Sequence, residues 1–165
     1  MRNRDESLEM RLYECRQHRA RLQKAENVLS DYIYMPLNGQ IYRSLGDVEI
    51  SFVDQMIFRF SKLQDSMGEK IFPAFLELGG ENVKPMTFID RLNRLEELEM
   101  LERIEWMELR KVRNEIAHEY SFNEEKVVDS INMVYRNIEK LIAIFNRFEK
   151  IILEKYGIGG GEFQR

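Results

Sequence analysis

Apolar residues recur at helical spacing along nearly the whole chain, and little interrupts them. Phe52, Met56, Phe60, Leu63, Met67 and Ile71 fall at intervals of three or four. That interval gathers side chains on one face of an α-helix and would scatter them over both faces of a strand. Three prolines in 165 residues leave few forced breaks.

The same period marks four further helices. Leu8, Leu12, Cys15, Leu22, Ala25, Leu29 and Ile33 form a stripe with one turn skipped at Arg19, ended by Met35-Pro36-Leu37-Asn38-Gly39. The helix of the opening stripe starts near Asp47 or Ser51, is broken or kinked at Pro73, and closes at Gly79-Gly80. A third opens at Thr87, three residues before Asp90, a capping-box spacing, and carries Phe88, Ile89, Leu92, Leu95, Leu98 and Leu101. A fourth runs from about Glu105 to Tyr120 with Trp106, Leu109, Val112 and Ile116 inward. Asn123 caps a fifth, which carries apolar residues from Val127 to Ile152 before Gly157 stops it.

No segment shows strand periodicity. The chain therefore reads as all-α, an antiparallel up-and-down bundle of about five helices. Residues 1–156 form one domain, and 157–165 read as a flexible Gly-rich tail. The last helix would be ~50 Å long. A bundle of this size has a radius of gyration of roughly 15 Å. Its end is then expected to be solvated, kinked or buried by a second subunit, and the last of these makes a homodimer the expectation.

Composition narrows the chemistry. One cysteine, Cys15, precludes an intrachain disulfide. One Cys and two His cannot build a four-ligand structural zinc site of the usual kinds. Neither a metal nor a cofactor is expected. No apolar run approaches the ~20 residues of a membrane helix. The first residues, Met1-Arg-Asn-Arg-Asp-Glu-Ser7, lack the apolar core of a signal peptide. A cytoplasmic protein without membrane contact is the expectation.

The segment from Arg110 to Tyr120 (RKVRNEIAHEY) carries the candidate site. On a helix, Leu109, Val112, Ile116 and Tyr120 share the inner side. Asn114 and His118 stack one turn apart, with the small Ala117 between Arg113 and His118. Arg offers a planar fork to phosphate, Asn can bond a phosphate oxygen or hold an imidazole, and His can act as base or acid near neutral pH. Metal-free RNA cleavage needs a base for the 2′-hydroxyl and an acid for the leaving 5′-oxygen. One His per chain cannot easily be both, whereas two copies across a two-fold axis could divide the roles.

Arg113-Asn114-Glu115-Ile116-Ala117-His118-Glu119-Tyr120 resembles the R-N-x-x-x-H-x-Y form of the R-x4–6-H signature of HEPN domains. These are small helical bundles, commonly dimeric, many of them metal-independent ribonucleases. The Tyr two places after the His is similar to that of the HepT toxins, whose partner antitoxin is a minimal nucleotidyltransferase that adds AMP to the motif Tyr. The resemblance covers eight residues. It implies that Arg113 holds the scissile phosphate, Asn114 supports the site, His118 is the acid/base and Tyr120 is the AMPylation target. The implied partners are an RNA substrate and a cognate nucleotidyltransferase antitoxin. The alternative within the family is a non-catalytic subunit that binds nucleotide or substrate for the nucleotidyltransferase.

Plainer readings stand beside these. Arg11 and His18 also satisfy R-x6-H without any suggestion of function. Arg113 could be a surface ion-pair residue with Glu108, Glu115 or Glu119, and Tyr120 could pack at the core edge. Glu115-x-x-His118 is formally half of a di-iron motif, but no second half exists in the chain. Asp54 and Asp65 are both available as an auxiliary acid on the second helix. Residues 1–24 hold seven basic and four acidic groups, which reads as a solvated face or as a phosphate-tracking surface. The net charge of −4 argues against broad nucleic-acid coating and allows a narrow site where a few arginines prevail.

Overall fold

The computed structural model describes residues 2–118 and 123–161; of Arg2, Ala117 and His118 it describes the backbone alone. The helices are α1 (Arg2–Tyr32), α2 (Gly39–Ser44), α3 (Asp47–Ser66), α4 (Phe72–Leu78), α5 (Phe88–Glu97), α6 (Arg103–His118) and α7 (Glu124–Tyr156). A π-helical turn, Met67–Ile71, joins α3 to α4. There is no strand among the described residues. The fold is an all-α bundle, as the periodicity requires.

Four long helices form its frame, and side-chain contacts fix their directions. Arg16 and Arg19 of α1 meet Glu149 and Asn146 of α7, while Asn132 of α7 meets Leu37, just past the end of α1. Those two helices therefore run antiparallel. Asp65 meets Arg113, and Gly68 lies against Trp106, so α3 and α6 also run antiparallel. Phe72 stacks on Phe148 at 4.9 Å, which places the far end of α3 beside the far end of α7. The chain thus passes down α1, up α3, down α6 and up α7.

The stripe residues occupy the core. Every member of the α1 stripe is buried. Arg19, which leaves the gap, fills it differently: its guanidinium lies 4.9 Å from the Phe145 ring and bonds Glu149 and Asn146. The long stem thereby covers apolar surface while the charge is paired. Cys15 is fully buried, and burial, reinforced by the Glu14 charge, pushes its thiol up to about 12. In α3 the buried face is Val53, Met56, Phe60 and Leu63, with Phe52 only partly covered.

Pro73 does not end its helix. A proline in an α-helix lacks an N–H and crowds the carbonyl four residues back. Here the preceding turn widens, and the Phe72 N–H bonds the Met67 carbonyl, five residues back. The extra residue keeps Met67, Ile71, Phe72, Phe75 and Leu76 all buried. Phe72 then meets Trp106 edge-on at 4.6 Å, and Phe75 meets Phe148 at 5.1 Å. This aromatic cluster ties α4, α6 and α7 together, each buried ring contributing about 2 kcal/mol of transfer free energy.

The caps read from the sequence are present. Thr87 and Asp90 exchange both bonds of a capping box, at 2.8 and 3.1 Å. Asn123 caps α7, and Gly157, at φ 69°, ends it in the left-handed region that glycine adopts without steric cost. Two expectations need correction. Although α7 has 33 residues, its buried positions run from Val128 to Ile152 within this one chain. The reason is that α3, α6 and α1 all pack along it, so the length of α7 does not by itself require a second subunit. The tail, read as flexible from residue 157, turns back onto α1 as far as it is described. Ile158 is buried, and Arg16 Nη2 donates to the Gly159 carbonyl at 2.9 Å. Residues 162–165 lie outside the described residues.

Candidate functional site

Arg113 is placed by the helix that carries it. Trp106, Leu109 and Val112 bury the inner face of α6, which leaves Arg113 at its edge, turned toward α3. There its Nε and Nη2 donate to Asp65 Oδ1 and Oδ2, both at 3.0 Å. These two parallel bonds form the fork geometry that arginine makes with a carboxylate. They raise the Arg113 pKa above its usual value, against the opposing effect of burial, and the Asp65 and Glu69 charges add to the rise. The partner is thus neither Glu108 nor Glu115, and Glu119 lies outside the described residues. Glu115 instead lies 3.8 Å from Lys111, one turn back on its own helix.

Of the two acids left open on the second helix, the fold brings Asp65 to the motif arginine. No local signal announces this, because the residues are 48 positions apart. The nearest hint is Gly68, a residue without a side chain in a buried face. A Cβ there would lie 3.5 Å from Trp106 and 3.7 Å from Phe88, so the small residue marks where α6 and the start of α5 approach α3. Asp65 stands two residues before the π turn, an element that recurs near functional sites.

Asp65 occupies one edge of the guanidinium. The other edge, Nη1 with the outer N–H of Nη2, has no acceptor among the described residues. That edge presents two donors suited to phosphate oxygens, on a side chain about one-third exposed. Asn114 is exposed beside it. The backbone of α6 continues one turn to His118, where the described helix ends. The side chains of Ala117 and His118, and all of Tyr120, lie outside the described residues. The motif residues brought together here are therefore Arg113 and Asn114, with the His118 backbone one turn on.

The second histidine lies elsewhere. His18 Nδ1 sits 3.0 Å from Arg59 Nη1, between α1 and α3. An imidazole that accepts from a guanidinium must be neutral at that nitrogen. Burial lowers the His18 pKa, and the Arg59 and Lys62 charges lower it further against the pull of Glu14. Arg11 bonds Glu14 at 3.3 Å and takes no part. Of the basic groups of the first helix, Arg16 and Arg19 share Glu149 of α7. No helix among the described residues is long and apolar enough to cross a membrane. No family model, curated protein or solved structure matches this chain.

Proposed function

We propose that the chain is a HEPN-type toxin, a metal-independent endoribonuclease that works as a homodimer and is neutralised by a cognate nucleotidyltransferase antitoxin. The observation that carries this reading is the guanidinium of Arg113, clamped on one edge by Asp65 and presenting the other edge beside Asn114, one turn before His118. A pre-oriented fork of N–H donors is what a phosphodiester needs as charge builds on its oxygens.

In this mechanism Arg113 binds the scissile phosphate and Asp65 holds Arg113 in place. His118 of one chain removes the 2′-hydroxyl proton. The 2′-oxygen attacks phosphorus, and the 5′-oxygen leaves with a proton from His118 of the second chain. The products carry a 2′,3′-cyclic phosphate and a 5′-hydroxyl. Asn114 bonds a phosphate oxygen or steadies the imidazole. Tyr120, two residues past the histidine, is the position where an added AMP would block the site.

A second reading is favoured by the same ion pair. A guanidinium already balanced by a carboxylate suits a subunit that binds nucleotide or substrate for the nucleotidyltransferase without cleaving it. Cleavage of RNA in EDTA, and its loss in Arg113→Ala and His118→Ala, separates the two.

A further inference from the structure

The outer face of α3 carries an aromatic side chain that the core does not use. Phe58 is 49% exposed, whereas its neighbour Phe60 is fully buried. The Arg59 guanidinium lies 5.3 Å from the Phe58 ring centroid and the Lys62 ammonium 5.7 Å. Neither cation has a carboxylate partner among the described residues. Arg59 bonds only the ring nitrogen of His18, and its Nε is buried without an acceptor. Arg16, Arg19, Arg43, Arg94 and Arg113, by contrast, all meet glutamate or aspartate. The nearest acids on the same helix are exposed Asp54, one turn before Phe58, and Asp65, one turn after Lys62 and already paired with Arg113.

The position of this patch relative to Arg113 is set by helix geometry. Phe58 and Asp65 are seven residues apart, so they share a face of α3 about 10 Å apart along its axis. Because α6 runs antiparallel to α3, the turn after Arg113 moves from the level of Asp65 toward that of Lys62 and Phe58. The end of α6 that carries His118 and the aromatic patch therefore lie at the same level of the bundle.

We infer that Phe58, Arg59 and Lys62 form a landing track for single-stranded RNA, in which one base stacks on Phe58 and the flanking phosphates meet Arg59 and Lys62. This rests on the reading of the chain as an RNA-directed protein and names how the strand reaches the Arg113 site. Exposed aromatics interleaved with unpaired cations suit single strands, because every base has a π-face and every linkage a negative charge. A distance of ~10 Å along the helix spans one to two nucleotides, which sets the stacked base that far from the scissile phosphate. The charge complement argues for RNA over a second copy of this chain, whose matching patch would bring like charges together.

The test uses the full chain and a fluorescein-labelled, 2′-O-methyl single-stranded RNA of about 12 nucleotides, a length within the range such tracks cover. Methylation removes the attacking hydroxyl, so binding is read without cleavage. Phe58→Ala should weaken binding about tenfold. Phe58→Trp should bind as wild type, with the new indole fluorescence quenched by the RNA. Arg59→Gln with Lys62→Gln should reduce the slope of log affinity against log salt by ~1.4, the value for two lost single-strand phosphate contacts. Unchanged binding by Phe58→Ala, or a loss of self-association in its place, overturns the track. If unmodified RNA is cleaved in an Arg113-dependent way while Phe58→Ala binds normally, the nuclease stands and the track falls. If binding depends on Phe58 and no RNA is cleaved, the track stands and the nuclease falls.

Discussion

Asp65 holds Arg113 by two bonds of 3.0 Å across the α3–α6 interface, and it does so from the last turn before the helix widens at Met67. Both side chains are about one-third exposed, so the pair contributes only about 1 kcal/mol to folding. Its effect on the site should be larger. Asp65→Asn is expected to leave the melting temperature nearly unchanged and to slow RNA cleavage about tenfold, through loss of orientation of the guanidinium. Faster cleavage by Asp65→Asn would show instead that the carboxylate competes with phosphate for Arg113.

Glu149 makes stability depend on acid. Burial pushes its carboxyl up, but hydrogen bonds from Arg19 and Arg16, with their charges, bring it below the ordinary 4.5. A carboxyl whose folded pKa is depressed stabilises fully above its unfolded pKa and loses that contribution as the pH falls through the folded value. Thermal melts of wild type should therefore fall more steeply below about pH 4.5 than those of Glu149→Gln. Parallel curves for the two proteins would remove Glu149 from the account.

Gln64 is 3% exposed, and neither its Oε1 nor its Nε2 has a hydrogen-bond partner among the described residues. A buried amide without partners costs about 1–3 kcal/mol. Gln64→Met keeps the volume and removes the polar atoms, so it should raise stability by about that amount in urea denaturation. A loss of stability would mean that the amide is satisfied in solution.

Tyr120 is open to a direct chemical check. Under the proposed toxin–antitoxin function, a cognate nucleotidyltransferase with ATP should add the mass of AMP to the chain and not to Tyr120→Phe. A shift that survives Tyr120→Phe places the modification on another residue.

The bundle was legible because its signals are local. Stripes at three-and-four spacing, the Thr87–Asp90 capping box, Asn123 and Gly157 each act within a turn or two of chain. Features that depend on packing were not. Pro73 signals a break or a kink, and a π turn absorbs it while Phe72 and Phe75 join a buried aromatic cluster by continuing. The skipped turn at Arg19 is filled from α7, 127 residues away. The apparent excess length of α7 disappears only once α3, α6 and α1 pack along it. At the site, Arg113 and Asn114 could be singled out from their own helix, whereas Asp65 could be chosen over Asp54 only when the fold brought α3 against α6. The candidate acid/base His118 is placed as far as its backbone, at the end of α6.

The central claim is metal-free cleavage through Arg113 and His118. The direct measurement is incubation of single-stranded RNA with the purified chain in EDTA, with product ends analysed by mass. Wild type should yield 2′,3′-cyclic phosphate ends, and Arg113→Ala and His118→Ala should each slow the reaction at least about 100-fold while keeping the wild-type melting temperature within a few degrees. Cleavage by His118→Ala at the wild-type rate would contradict the account.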